Sequence, residues 1–287
     1  MSHSTVLVIG ENPEEQLAPF DENLDVEPYK DHWNEDYLKR FLEHYELDDV
    51  SQVTEEQVRD WSGSTEFGID DDGFYSMCSY NPDSKWDWYQ LGGRWTGFFK
   101  MKPEVEATGT VGRPGIMTDP AEDGRADQAY KEDIDFEGMR MQAKGKAMEQ
   151  YDRMLAATEG LDLPMSWEHC RDTYEPIEVA REVYHKQPFI KAIREADLES
   201  GWLGPDATNY YFLGQEDGRE KFINRAVLNS LLTFAVLKDG EWFERGRMGW
   251  WGMVGDEQDD EEWSQQFYDL LNNLSDDTLL SVYDVHI

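Results

Sequence analysis

The stretch that organises this chain is SKWDWYQLGGRWTGFF, residues 84–99. It combines six aromatic residues and three glycines with two basic residues, in a protein that is otherwise strongly acidic. Aromatic residues at this density bury large areas or stack on ligands. Gly92, Gly93 and Gly97 mark places where the backbone turns or approaches another group closely. The stretch therefore predicts part of the buried core.

A second interpretation of the same stretch is a small-molecule pocket. In such a pocket the aromatic rings form the walls, and an arginine or lysine binds a small anion. The candidate pocket residues are Lys85, Trp86, Trp88, Arg94, Trp95 and Arg247. We rank the core interpretation first, because strands rich in aromatic residues and glycine usually belong to a core.

The chain has 287 residues and a formal net charge of −36, with 39% hydrophobic residues. So much apolar material predicts a folded protein with an acidic surface rather than a disordered polyanion. The acidic excess is uneven: it is 17 residues in 1–72, 9 in 119–200 and 10 in 256–287, whereas 73–118 and 201–255 are close to neutral. We expect the two near-neutral segments to form the buried framework.

The acidic surface bears on the choice of partner. It repels nucleic acid and anionic membranes, because binding to these polyanions requires a basic surface. We therefore predict no direct nucleic-acid or membrane binding, and a partner with a basic surface, for which the protein would act as a DNA mimic. The other interpretation is that the charge only serves solubility. The candidate contact residues are carboxylates on two predicted helices: Glu35, Asp36, Glu43, Glu46, Asp259, Asp260, Glu261 and Glu262.

The N-terminal part predicts a strand followed by helices. Residues 4–9 are apolar and rich in β-branched residues, as in a buried strand. The apolar residues of 31–46 recur at helical spacing, which predicts an amphipathic helix. Thr54 and Gln57 fit a capping box that opens a short helix to Trp61. Residues 103–127, with many prolines and glycines, predict a loop or a flexible insertion.

The C-terminal half predicts helices and then mixed structure. Helical structure is expected over 125–157, and shorter helices near Ser166, after Pro176 and after Pro188. Further along, the predictions are a strand at 209–213, a hairpin over 232–244 that turns at Asp239-Gly240, a helix after the acidic run 256–262, and a strand at 278–287.

Strands at both termini with helices between them predict an α+β fold. We expect a mixed, partly antiparallel sheet in which the first and last strands, at the termini, are neighbours, flanked by acidic helices. Residues 1–118 and 201–287 are predicted to form a single core domain, and 119–200 a helical insertion.

No motif in the sequence points to catalysis, a cofactor or a metal. His32 and His44 are twelve residues apart, which is not a ligand spacing on a helix. The run Asp70-Asp71-Asp72-Gly73 matches a calcium loop only in part, because Asn81 stands where that loop needs its glutamate. We read this run as a solvated turn, with adventitious cation binding as the weaker alternative. We predict no catalytic residues, no cofactor, no metal and no enzymatic activity.

The cysteines and the N-terminus predict a cytoplasmic protein. Cys78 and Cys170 are far apart and form no CxxC pair, which favours a reducing compartment. The N-terminus has no basic region ahead of its apolar run, so we expect no signal peptide. No run approaches the roughly 20 apolar residues that span a bilayer.

Several blocks of sequence resemble a family of proteins found in tailed phages and prophages. The blocks are SHSTVLVIGENPEEQLAPF (2–20), KWDWY (85–89) with GGRW (92–95), WWGMV (250–254) and VHI (285–287). The resemblance implies a phage anti-defence protein that acts in the host cytoplasm, of the kind that binds and blocks the Gabija nuclease–helicase complex. No catalytic residues come with it.

Hypotheses of different classes follow. The first is a non-enzymatic inhibitor whose acidic face binds a host defence nuclease or helicase and blocks DNA binding or cleavage. The second is an enzyme or small-anion-binding protein that uses the aromatic pocket with its arginine. The third is a structural or assembly role in the phage particle. A homo-oligomer is also expected, because the aromatic content exceeds what one core needs.

Overall fold

The computed structural model describes residues 2–105, 109–113, 116–120, 124–196, 198, 210–248 and 254–286. The strands are β1 (His3–Ile9), β2 (Tyr29–His32), β3 (Phe67–Asp70), β4 (Gly73–Cys78), β5 (Trp88–Leu91), β6 (Phe99–Lys100), β7 (Thr110–Arg113), β8 (Ile116–Pro120), β9 (Arg125–Ala126), β10 (Gln128–Tyr130), β11 (Ala235–Lys238), β12 (Glu241–Glu244), β13 (Arg247–Met248), β14 (Val254–Gly255) and β15 (Leu279–His286). The α-helices are α1 (Pro13–Leu17), α2 (Glu35–His44), α3 (Glu55–Ser62), α4 (Phe136–Ala157), α5 (Trp167–Thr173), α6 (Ile177–Lys186), α7 (Pro188–Glu195), α8 (Gly218–Asn229) and α9 (Asp260–Asn272).

The fold is α+β, as predicted, and is built on a mixed sheet. The strand order is β12-β11-β1-β15-β10-β7-β8, and β5 also pairs with β15. β1 and β15 run antiparallel from the pair His3 and His286 to the pair Ile9 and Leu280. β11 pairs with the other edge of β1 in parallel. The first and last strands are therefore neighbours at the centre of the sheet, which confirms the prediction.

Helices cover both faces of this sheet. Leu7 and Val282 point to one face, where they belong to the same apolar cluster as Trp263 of α9. Val6 and Tyr283 point to the other face, where they join Leu17 of α1. Alternate residues of β1 and β15 are thus buried on opposite sides, which explains why apolar residues occupy consecutive positions, as in Val6–Ile9, instead of alternating with polar ones.

The aromatic stretch completes the sheet beside β15. β5 pairs with the second half of β15, and β10 pairs with its first half, so the two strands share one edge of β15. Between them, the backbone N–H of Gly92 donates to the carbonyl of Val282 at 2.8 Å. Trp86, Leu91 and Phe99 are buried, which agrees with the core interpretation of this stretch.

Residues 29–78 form a separate packing unit that we call the acidic lobe. It consists of the three-stranded antiparallel sheet β2-β4-β3 together with α2 and α3. Its apolar cluster contains the buried side chains of Trp33, Phe41, Val58 and Phe74. The predicted capping box is present, with Thr54 accepting from the N–H of Gln57 at the start of α3.

A second group of helices packs around its own apolar cluster. It contains α4, α5, α6, α7 and α8, with buried residues such as Tyr151, Tyr184 and Phe222. This cluster does not coincide with the predicted insertion 119–200. β9 and β10 lie within that range and pair with other strands, whereas α8 lies beyond it and packs against α4.

Four element predictions were wrong in part. The helix expected over 125–157 begins only at Phe136, because the residues before it form β9, β10 and a 3-10 helix at Lys131–Asp133. The helix predicted from residue 31 begins at Glu35, because the preceding residues form β2. Residues 103–127 contain β7, β8 and β9 rather than only a loop. Tyr210–Gly214 form a 3-10 helix rather than a strand, because their aromatic side chains pack against the helical cluster; Asn209 lies outside the described residues.

Local signals were confirmed elsewhere. Ser166 caps α5, and α6 and α7 begin after Pro176 and at Pro188. The hairpin of β11 and β12 turns through Asp239 and Gly240, both with positive φ. That geometry is the two-residue turn expected from an Asp-Gly pair.

Candidate partner-binding surfaces

The predicted carboxylates of the acidic lobe lie on its outer surface. Glu35, Asp36, Glu43 and Glu46 are all exposed. Asn34 caps α2 by accepting from the N–H of Tyr37 at 2.8 Å, and the two acidic residues of its first turn complement the helix dipole. The sequence thus places these charges where the helix tolerates them well.

Few cations neutralise this surface. The acidic lobe has fourteen Asp and Glu residues against four Lys and Arg residues. Lys39 lies 3.8 Å from Glu43 and Arg59 lies 3.9 Å from Glu55, at the outer limit of an ion pair and with all four side chains more than half exposed. Such pairs contribute little, so the lobe presents a net negative surface.

A cleft of about 590 Å³ opens beside this surface, between the end of α2 and α3. Tyr45, Glu56 and Asp60 line it together with Thr54, Gln57 and Arg59, and the hydroxyl of Tyr45 donates to Asp60 at 2.9 Å. An aromatic ring with two adjacent carboxylates is an arrangement that suits the guanidinium group of an arginine.

The second predicted acidic surface is the start of α9. Asp259, Glu261 and Glu262 are exposed, and Asp259 caps the helix by accepting from the N–H of Glu261 at 2.8 Å. Asp260 has a different role: its oxygens lie 2.6 Å from Arg245 and 2.9 Å from Arg225. Asp260 therefore holds α9 against neighbouring elements, and its charge is already matched.

An open groove of about 950 Å³ runs along α9. Its lining mixes apolar and polar groups and contains two carboxylates, several amide side chains, one lysine and two leucines. The residues are Lys238, Gln258, Glu262, Gln265, Gln266, Asp269, Leu270, Asn273 and Leu274. The acidic surface of α9 thus extends from its N-terminus along one side of the helix.

The six residues predicted to form an aromatic pocket take separate roles. Lys85 pairs with Glu244 at 2.8 Å, and Trp86 is buried with its indole N–H donating to the carbonyl of Leu17. Trp88 and Arg94 are exposed, and Trp95 is half-buried. Arg247 lies in β13, 3.8 Å from Asp256. The cavities described above are lined by other residues.

Two buried aspartates explain the glycines of the stretch. A Cβ at Gly92 would lie 2.2 Å from an oxygen of Asp127, and a Cβ at Gly93 would lie 2.3 Å from the Cβ of Asp284. Both glycines also have positive φ. The glycine pair therefore lets the backbone pass between two carboxylates, a structural use rather than contact with a ligand.

Asp127 organises the loop that follows β5. Its carboxylate is fully buried and accepts from the backbone N–H groups of Gly97 (2.6 Å), Phe98 (3.1 Å) and Gly112 (2.9 Å), and from the hydroxyl of Thr96 (3.0 Å). Burial raises the pKa of Asp127 although these donors oppose the rise. The sequence carried no signal for this role.

The structure also brings together histidines and carboxylates that are distant in sequence. His3 Nδ1 lies 2.7 Å from Asp284, and His286 Nδ1 lies 2.6 Å from Asp87. The two imidazole rings are 4.9 Å apart. These pairs span 281 and 199 residues of sequence, so no spacing rule detects them.

A third group lies on the acidic lobe, where His32, Asp70 and Asp72 place their ligand atoms within 4.8 Å of one another. Lys30 lies 2.6 Å from Asp70, and hydrogen bonds from Lys30 and His32 hold the pKa of Asp70 well below its usual range. Sequence spacing missed this group because β4 separates β2 from β3 in the sheet but follows both in the chain.

Comparisons with protein-family models, with curated proteins and with solved structures find no match for this chain. In the described part of the chain, no helix combines the length and apolar character that crossing a membrane requires.

Proposed function

We propose that this chain is a phage-encoded, non-enzymatic inhibitor that binds the basic DNA-engaging surface of a bacterial immune nuclease complex of the Gabija type. The bound inhibitor blocks DNA binding or cleavage by occupying that surface. The observation that carries the proposal is the set of exposed carboxylates on the acidic lobe, which few cations neutralise.

The packing of the lobe supports this role. Trp33 and Phe41 are buried, so Glu35, Asp36 and Glu43 lie on a helix that is already ordered, and Glu46 lies in the turn directly after it. Binding then immobilises side chains without ordering a backbone segment, which reduces the entropic cost of association. In addition, the cleft beside Tyr45 is a site for one arginine of the partner.

The overall charge supports fast association. A net charge of −36 attracts a basic surface over long range and raises the association rate, and salt weakens this attraction. The Debye length falls from about 10 Å at 0.1 M salt to about 3 Å at 1 M salt, so salt screens the long-range attraction. Desolvated carboxylate–arginine pairs at close range are screened much less. Binding that persists at high salt therefore indicates specific recognition.

The test compares two variants with the same total charge. One carries Glu35→Gln, Asp36→Asn, Glu43→Gln and Glu46→Gln on the acidic lobe. The control carries Glu159→Gln, Asp162→Asn, Glu168→Gln and Glu178→Gln, four exposed carboxylates around the helical cluster. Binding to the purified nuclease–helicase complex is measured by biolayer interferometry over a salt series, with DNA cleavage measured in parallel.

We expect the acidic-lobe variant to bind at least about tenfold more weakly than wild type, a loss of about 1.4 kcal/mol, and to inhibit cleavage correspondingly less. The control is expected to bind almost as wild type does. Equal losses of affinity in both variants would show that the interaction is nonspecific electrostatic attraction. A wild-type protein that neither binds nor inhibits the complex would refute the proposal.

A further inference from the structure

The acidic lobe carries a set of side chains with the geometry of a metal site. Nε2 of His32 lies 2.9 Å from Oδ1 of Asp70. A carboxylate oxygen of Asp72 completes the group, and all three ligand atoms lie within 4.8 Å of one another. Two ligands about 2.1 Å from a tetrahedral ion are about 3.4 Å apart, a separation that lies within this 4.8 Å limit.

The sheet of the acidic lobe creates this arrangement. β4 lies between β2 and β3, with His32 opposite Tyr75 and Asp70 opposite Gly73. A Cβ built on Gly73 would meet no atom within 4 Å, so the central strand leaves open space at the position opposite Asp70. Asp72 follows in the turn, where its backbone N–H donates to Oδ1 of Asp70 at 3.1 Å.

The site lies on the solvent side of the lobe. The side chains of His32 and Asp70 are 31% and 28% exposed. Trp33, directly after β2, and Phe74, in β4, are buried in the apolar cluster with α2 and α3. An ion held by three protein ligands here keeps further coordination positions open to water.

The local charge favours a divalent cation. Asp70, Asp71 and Asp72 contribute three carboxylates, and Lys30 supplies one nearby ammonium group, 2.6 Å from Oδ2 of Asp70. The ammonium group of Lys30 also lies 4.3 Å from the centre of the Tyr75 ring. The ring gives this ammonium a second favourable contact when an ion binds to the Asp70 carboxylate. Lys30 is therefore a competitor that an ion has to displace in part.

We propose that His32, Asp70 and Asp72 bind a first-row divalent metal ion, with Zn²⁺ bound more tightly than Mn²⁺. One imidazole and two carboxylates suit such ions, and affinity rises from Mn²⁺ to Cu²⁺ along the first-row series, with Zn²⁺ below Cu²⁺ but above Mn²⁺. Ca²⁺ binds weakly here, because it requires six to eight oxygen ligands. The ion binds the lone pair of Nε2 of His32, so the neutral imidazole carries its single N–H on Nδ1, and bonds of both side chains to the ion replace the contact between Nε2 and Asp70. This proposal does not depend on the proposed function.

Two neighbouring carboxylates provide a matched pair of variants. Asp72→Asn removes a proposed ligand, whereas Asp71→Asn removes the same charge from the same turn without touching the ligand set. Zn²⁺ binding to the full chain is measured by isothermal titration calorimetry, and the melting temperature is measured with and without the ion. His32→Gln and Lys30→Gln complete the set, with circular dichroism to confirm folding.

We expect one Zn²⁺ per chain and a rise in melting temperature for wild type. Asp72→Asn and His32→Gln should each weaken binding at least about tenfold, Asp71→Asn by less than about threefold, and Lys30→Gln should strengthen it. Absence of Zn²⁺ binding by folded wild type, equal losses for Asp71→Asn and Asp72→Asn, or unchanged binding in His32→Gln would each overturn the proposal.

Discussion

Nδ1 of His3, in the first strand, lies 2.7 Å from Oδ1 of Asp284, in the last strand. The other oxygen of Asp284 accepts from the backbone N–H of Arg94 at 3.0 Å. Asp284 is 1% exposed, so both oxygens depend on these partners. One buried carboxylate thus joins β1, β15 and the loop that follows the aromatic strand β5.

Asp284→Asn should lower the free energy of unfolding by about 2–3 kcal/mol. Asparagine offers one oxygen acceptor and one N–H donor in place of two charged oxygens, so the contacts with the N–H of Arg94 and with Nδ1 of His3 both lose the buried carboxylate charge. Urea unfolding at neutral pH measures the loss. Asp277→Asn, in the exposed turn before β15, serves as the control and should change stability by less than about 0.5 kcal/mol. A similar loss in the control would contradict the role given to Asp284.

Gly93→Ala should destabilise the protein more than Gly240→Ala does. Both glycines have positive φ, so both variants incur backbone strain of about 1 kcal/mol. Only at Gly93 does the new Cβ meet the buried Asp284, at 2.3 Å, whereas at Gly240 it meets no atom within 4 Å. We expect a total loss of at least about 3 kcal/mol for Gly93→Ala, measured by urea unfolding. Equal losses would show that the loop can move away from Asp284.

On α9, Asp260→Asn should lower the stability of the fold, whereas Glu261→Gln should not, because only Asp260 has a structural role. Asp260 contacts Arg225 and Arg245, whereas Glu261 is exposed. Because these pairs are partly exposed, the expected loss for Asp260→Asn is about 0.5–1 kcal/mol, and Glu261→Gln should be neutral. Thermal unfolding at low and high salt compares them. A larger loss in Glu261→Gln would contradict this division.

Tyr283 should make stability fall at alkaline pH. Burial, with Glu14 and Tyr89 nearby, raises the pKa of Tyr283 above its usual value of 10.0. The unfolded chain then ionises first, so the stability contributed by neutral Tyr283 is present below about pH 10 and is lost as the pH rises toward the folded-state pKa. The free energy of unfolding, measured with urea between about pH 9 and pH 11, should fall less steeply with pH for Tyr283→Phe than for wild type. Tyr80→Phe, at an exposed site, should behave as wild type, and an unchanged slope in Tyr283→Phe would contradict the assignment.

Local chemistry accounts for the elements that were predicted well. Thr54 and Gln57 complete their capping box within four residues, and Asp239-Gly240 adopts the turn that its two residues favour. The apolar run of β1 signals burial on both faces whatever its neighbours are. Tyr210–Gly214 shows the limit of such signals: an aromatic run packs equally well as a 3-10 helix against the helical cluster.

The sequence by itself determined the α+β class, the acidic surface and the exposed carboxylates of α2, because these follow from periodicity, capping and composition. Tertiary structure alone decided that Asp260 is neutralised by two arginines, that Gly92 and Gly93 pass between buried Asp127 and Asp284, and that His32 meets Asp70 and Asp72. The reason is physical: sheet pairing brings together residues that are tens to hundreds of positions apart, and a carboxylate's role depends on which donors and cations that pairing places around it.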